Sequence, residues 1–196
     1  MRKIRNFAVI FNILFLIFLS IFSYSSFSKI ESFRFLESKI TENQNLVLKK
    51  ISGFAKAVDG DSLFVDQKEV RLKNIDAPEY SQKCFDANDK KYECGIISSK
   101  FLKDLLKSQT IECFYHKKDF YNRYLANCFL SDGRNIEEEI LKNGMAIIYN
   151  LKEANQEFKE IENDAKAKKI GIWQGKFLEP KLYRKLSNSK SSSKSK

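Results

Sequence analysis

The sequence predicts an α+β fold: a small closed β-barrel of five or six short strands that carries about three helices. Three observations predict it. Short β-like runs come first, at Ser52–Val58, Ser62–Asp66 and Glu69–Ile75, divided by Asp-Gly and Asp-Gln turns. Two more, T-I-E-C-F-Y-H and R-Y-L-A-N-C-F-L, flank a turn at Asp119–Arg123. Helical spacing is interposed and then takes over toward the end. Ile97, Phe101 and Leu105 repeat at that spacing, with Leu102 and Leu106 broadening the stripe. Asn135 is placed to cap the helix I-E-E-E-I-L-K-N, which Gly144 ends. Ala146–Tyr149 reads as another short strand. A last helix from about Glu153 to Lys169 buries Phe158, Ile161 and Ala165 before Gly171 stops it.

The two ends read differently from this core. Arg2, Lys3 and Arg5 precede an apolar run from Phe7 to Tyr24, and no acidic residue occurs before Glu31. A positive flank followed by such a run is a signal peptide or a membrane anchor, here residues 1–28 and expected to be helical. Its length suits both, and neither Ser23-Tyr24-Ser25 nor Ser26-Phe27-Ser28 resembles a good A-x-A cleavage site, so the retained anchor is preferred. No cysteine precedes Cys84, which excludes lipoprotein attachment. Residues 29–50 are a mixed polar connector to a domain at 51–178. Residues 179–196 form a basic Ser/Lys-rich tail, expected to be flexible and solvated. The domain is therefore expected outside the cytoplasm, anchored or secreted.

Export gives meaning to Cys84, Cys94, Cys113 and Cys128, an even count that allows three pairings. A four-cysteine zinc site lacks any C-x-x-C pair, and four buried thiols would suit a cytosolic protein. Cys113 and Cys128 stand symmetrically about Phe120 and Tyr121, so they can face each other across a hairpin. Cys84 and Cys94 then close a short loop after Pro78-Glu79. Two disulfides are the preferred reading.

The chemistry concentrates between Asp59 and Glu79. Asp59, Asp61, Asp76 and Glu79 supply oxygen ligands of the kind a hard cation such as calcium prefers, and Arg71 between them has a planar fork suited to phosphate. A metal beside an anion-binding arginine points to phosphodiester chemistry. A formal net charge of +10 and a pI of about 9.3 agree with a polyanionic substrate. His116, the one histidine, lies outside every motif, so histidine-based catalysis is not expected, and Trp173 reads as a core residue.

Asp59-Gly60-Asp61-Ser62, Arg71 with Asp76-Ala77-Pro78-Glu79, Asp119-Phe120-Tyr121-Asn122-Arg123 and Gly171-Ile172-Trp173 occur in that order. Together they resemble the thermonuclease (staphylococcal nuclease-like) family over about residues 51–178. The resemblance implies an OB-type five-stranded barrel. It implies a Ca²⁺ site made by Asp61, Asp76 and the carbonyl of Ala77, with Asp59 an auxiliary carboxylate or a cap of the Gly60 turn. Arg71 and Arg123 match phosphate-contacting arginines, and Glu79 matches a general base or a residue that orients water. Tyr121 matches a tyrosine near the substrate phosphate, while Tyr149 either stacks on a base or packs in the core. Asn122 departs from the family's common glycine at a turn that asparagine tolerates. The expected activity is calcium-dependent hydrolysis of DNA and RNA by metal-associated water with little sequence preference, leaving 3′-phosphate ends. No protein partner is implied, and the membrane is contacted through the N-terminal segment. The alternative is an OB-type module that binds nucleic acid without cutting it. A surface adhesion protein would leave the acidic–basic constellation unexplained.

Overall fold

The computed structural model describes residues 48–194, with side chains described through Ser189. The predicted anchor and nearly all of the connector lie outside the described residues. Among the described residues no helix is long and apolar enough to cross a membrane.

Strands β1 (Lys49–Ala57), β2 (Ser62–Val65), β3 (Lys68–Leu72), β7 (Thr110–Lys118) and β8 (Tyr124–Phe129) close a five-stranded barrel in the order β1-β2-β3-β8-β7. All its pairings are antiparallel except β3 with β8, which run parallel. Alternate residues face inward. Ile51, Leu63, Val65, Val70, Leu72, Ile111 and Ala126 form the interior with Cys113 and Cys128. The Asp-Gln turn between β2 and β3 has both central residues left-handed, Asp66 at φ 46° and Gln67 at φ 63°, which matches the twist of a two-residue hairpin.

The predicted strand over Glu69–Ile75 is broken. β3 ends at Leu72, and Ile75–Asp76 becomes β4, which pairs outside the barrel with β9 (Ile147–Ile148). That break turns Asp76 out of the barrel wall and toward the cleft. A small hairpin, β5 (Cys84–Phe85) with β6 (Lys91–Tyr92), was not expected and leads into helix α1 (Cys94–Leu105). The buried face of α1 comprises Cys94, Gly95, Ser98 and Leu102, so Ile97 is exposed at 44% and does not join the stripe. Helix α2 (Ile136–Lys142) is capped as expected, the Asn135 side chain accepting from the amides of Glu137 and Glu138. Helix α3 (Gln156–Ala167) starts later than expected because Asn155 caps it, accepting from the Phe158 amide.

Both predicted disulfides are present, Cys84–Cys94 and Cys113–Cys128, the latter joining directly paired residues of β7 and β8. Around the former, Ile172 is buried, while Trp173 is half-buried and stacks edge-on to Phe177. The expectation of a flexible tail is corrected over Pro180–Lys194, which forms a fourth helix, α4. Its reason is local docking. Pro180 is buried, the Tyr183 hydroxyl lies 3.3 Å from both Ser81 Oγ and the Ser81 carbonyl, and Gln82 Nε2 donates to the Leu178 carbonyl at 2.7 Å.

Candidate active site

One cleft of about 650 Å³ gathers Asp59, Asp61, Arg71, Glu79, Tyr121, Arg123 and Tyr149 along its wall, with Asp76 buried behind it. The barrel supplies the inner part. Asp59 Oδ1 accepts from the amides of Asp61 and Ser62 at 3.0 and 2.7 Å, which makes the turn-capping role the observed one. Gly60 is needed there because a Cβ would run into Ser98 and Ala77. The turn delivers Asp61, 6% exposed, onto the guanidinium of Arg71, its close ion-pair partner across β2 and β3. Asp61 Oδ2 also accepts from the Ala77 amide at 2.8 Å. Burial pushes the Asp61 carboxyl up to about 6, against the pull of Arg71.

Arg71 Nη2 donates to Asp76 Oδ1 at 3.0 Å and to the Ile75 carbonyl at 3.3 Å. One arginine therefore ties together two carboxylates that sequence separates by fifteen residues. Behind Asp76, the buried Glu137 holds the turn. Its Oε1 accepts from the Asn74 amide at 2.8 Å and its Oε2 from Asn74 Nδ2 at 3.3 Å. Burial pushes Glu137 up to about 7. Sequence reading missed this residue, which it saw only as part of an acidic helix start.

Glu79 stands on the turn after Pro78, half-buried. Gln82 clasps that turn: its Oε1 accepts from the Glu79 amide, and its own amide donates to the Glu79 carbonyl. Helix α1 backs it so closely that a Cβ on Gly95 would overlap the Glu79 carbonyl. Arg123 comes from the turn that leads into β8, next to β3. Asp119 grips it, accepting from Arg123 Nε at 2.8 Å and pairing with Nη2 at 2.7 Å, while Nη1 reaches Ser62 Oγ at 3.3 Å. Asn122 is left-handed at φ 67° and accepts from Lys118 Nζ, so the turn tolerates asparagine here. Tyr121 and Tyr149 are 74% and 54% exposed, which removes the core-packing alternative for Tyr149. Phe120, 96% exposed beside Tyr121, adds a third aromatic face that the sequence reading left unused. His116 is exposed and absent from the cleft wall.

Arg184 on α4 was also missed. Its Nη1 donates to Asp76 Oδ1 at 2.9 Å and to Glu79 Oε1 at 2.7 Å, and its Nη2 donates to Asp76 Oδ2 at 3.0 Å. Its only sequence signal was a lone arginine in a basic, Ser/Lys-rich run.

Asp61 and Asp76, brought together by Arg71, supply oxygen donors of the kind a hard divalent cation prefers, with Glu79 nearby on the cleft wall. Guanidiniums engage each of these carboxylates. Among the described residues, no group of three or more His, Cys, Asp or Glu side chains is drawn together as a ready metal cage.

A closed five-stranded barrel with buried carboxylates and the two arginines Arg71 and Arg123 at one cleft fits the phosphodiester-hydrolase class of small β-barrel nucleases. The family model described as staphylococcal nuclease homologue matches residues 69–175, and the chain belongs to that family. The chain is 30% identical to an uncharacterized endonuclease of Escherichia coli O157:H7, over 60% of this chain and 73% of that protein. It is likewise 30% identical to succinoglycan biosynthesis protein ExoI of Rhizobium meliloti, over 63% of this chain and 64% of the relative. The SPbeta prophage-derived endonuclease YokF of Bacillus subtilis is 33% identical over 60% of this chain, but the match spans only 42% of YokF.

Proposed function

We propose that this protein is a calcium-dependent nuclease that hydrolyses phosphodiester bonds of DNA and RNA with little sequence preference. The observation that carries the reading is that Arg71 ties Asp61 to the buried Asp76 at a cleft that Glu79 and Arg123 also line. Asp61, Asp76 and the carbonyl of Ala77 would hold the cation, which when bound supplies Lewis-acid polarisation of the phosphate. The remaining work falls to the chain. Arg71 and Arg123 donate to the phosphoryl oxygens, where negative charge grows as a fifth bond to phosphorus forms. Both arginines are held by carboxylates beforehand, so little reorganisation accompanies that step. Glu79 accepts the proton of the attacking water or orients it. Attack breaks the bond to the 5′ oxygen, which leaves with a proton, and the phosphate stays on the 3′ side.

Tyr121, Tyr149 and Phe120 offer exposed rings on which unpaired bases stack, a contact that tolerates any sequence. The basic N-terminal flank, the apolar segment after it and the two disulfides support export, with the domain anchored to the membrane or secreted.

The test is digestion of plasmid DNA and single-stranded RNA by residues 29–196, with calcium and with chelator. Cleavage of both with calcium and none with chelator is expected. Full cleavage in chelator sinks the calcium assignment. Salt-sensitive binding without cleavage establishes a non-cutting module instead.

A further inference from the structure

The geometry points to Arg184 as a built-in competitor of the divalent cation: helix α4 plugs the carboxylate site with a guanidinium that must leave before the cation enters. The inference rests on the calcium reading given above.

Three observations carry it. The first is what Arg184 touches. It bridges Asp76 and Glu79 through three hydrogen bonds of 2.7–3.0 Å, engaging both oxygens of Asp76. Asp76 is 2% exposed and already accepts from Arg71, so its remaining capacity goes to Arg184. A fork-to-carboxylate contact of this kind is short and charge-assisted, and it uses the lone pairs a cation would use.

The second is charge. Arg71 pairs with Asp61 and Asp76, Arg123 is balanced separately by Asp119, and Glu79 has Arg184 as its ion-pair partner. Docked Arg184 therefore cancels negative charge that a divalent cation would otherwise meet at Asp76 and Glu79. Two cations in so small a space repel strongly, so they exclude each other electrostatically as well as sterically.

The third is how the helix is attached. Arg184 stands in the second turn of α4, which touches the domain near its start, at Pro180, Tyr183 and Arg184. Lys185 to Ser189 just beyond it are exposed, with Leu186 43% accessible. The sequence there is rich in serine, a middling helix former that competes for the backbone through its hydroxyl. Arg184 itself keeps 36% of its side chain exposed, so the contact opens to water without unpacking the core. Asp61 and Arg71 are carried by the barrel strands and the turn between them, and Asp76, 2% exposed, by β4.

Calcium titration by calorimetry on the full chain in detergent tests this directly. Arg184→Ala is expected to bind calcium at least tenfold tighter than wild type. Lys185→Ala removes an equal charge from the exposed neighbour and is expected to leave affinity unchanged. In wild type, calcium is expected to speed amide hydrogen exchange across residues 180–186, and this reading needs no variant. Equal affinity of wild type and Arg184→Ala, or an equal gain from Lys185→Ala, overturns the competition and leaves the calcium reading standing. Weaker binding by Arg184→Ala overturns it too, making Arg184 a support of the site. Absence of calcium binding in every protein, Arg184→Ala included, overturns both.

Discussion

Two arginines of the cleft, Arg71 and Arg184, share one carboxylate and differ in everything that holds them. Arg71 lies in a central barrel strand with its side chain 12% exposed, locked between Asp61 and Asp76. Arg184 pairs with the same Asp76 from helix α4, its side chain 36% exposed. The same charge pair is therefore architecture in one case and a latch in the other. Burial and the number of covalently independent supports decide which, because a pair opens only as easily as the element carrying it.

The largest effect expected from this contrast is Arg71→Ala. It leaves Asp61 without its ion-pair partner at 6% exposure, and breaking a buried pair costs about 3 kcal/mol or more. Urea unfolding and initial rates together check it, with activity falling at least a thousandfold, about 4 kcal/mol. Lost activity with unchanged stability would erase the distinction between the two arginines.

Next come Glu79→Gln and Arg123→Ala, whose side chains are partly exposed. Each is expected to lower the rate a hundredfold or more, at least about 2.7 kcal/mol, while circular dichroism shows the fold intact and salt-sensitive DNA binding persists. A rate within tenfold of wild type for both would remove the cleft from catalysis.

The smallest effect concerns the fixed side alone. Burial raises Glu137 from the ordinary 4.5 to about 7 in the folded protein. The folded state thus holds this proton more tightly than the unfolded state. Stability from Glu137 is complete below pH 4.5 and is lost as pH rises through 7. Glu137→Gln should gain on wild type across that window in denaturation experiments from pH 4.5 to 8. Parallel pH profiles for the two proteins would show that Glu137 is ionised throughout.

The barrel strands were legible because short β-forming runs bounded by turn residues, as at Ser62–Val65 and Thr110–Lys118, are a local property of each run. The disulfides followed from symmetry about one turn. The hairpin of Cys84–Phe85 with Lys91–Tyr92 was not legible, since two-residue strands carry no period. The start of α3 was misjudged because Glu153 and Asn155 both look like early-helix residues, and only the bond from Asn155 to the Phe158 amide chooses between them.

By itself the sequence determined the barrel class, the four cysteines that pair, and the motif residues that meet at the cleft, all of which rest on neighbours close in the chain. Only the tertiary structure decided that Asp76 turns out of the barrel on β4, that Glu137 pins the turn behind it, and that a Ser/Lys-rich tail becomes a helix with Arg184 on the carboxylates. The reason is range. Glu137 lies 63 residues from Asn74, and Arg184 lies 105 residues from Glu79. No local propensity encodes a partner that distant; burial and charge choose it once the barrel has closed.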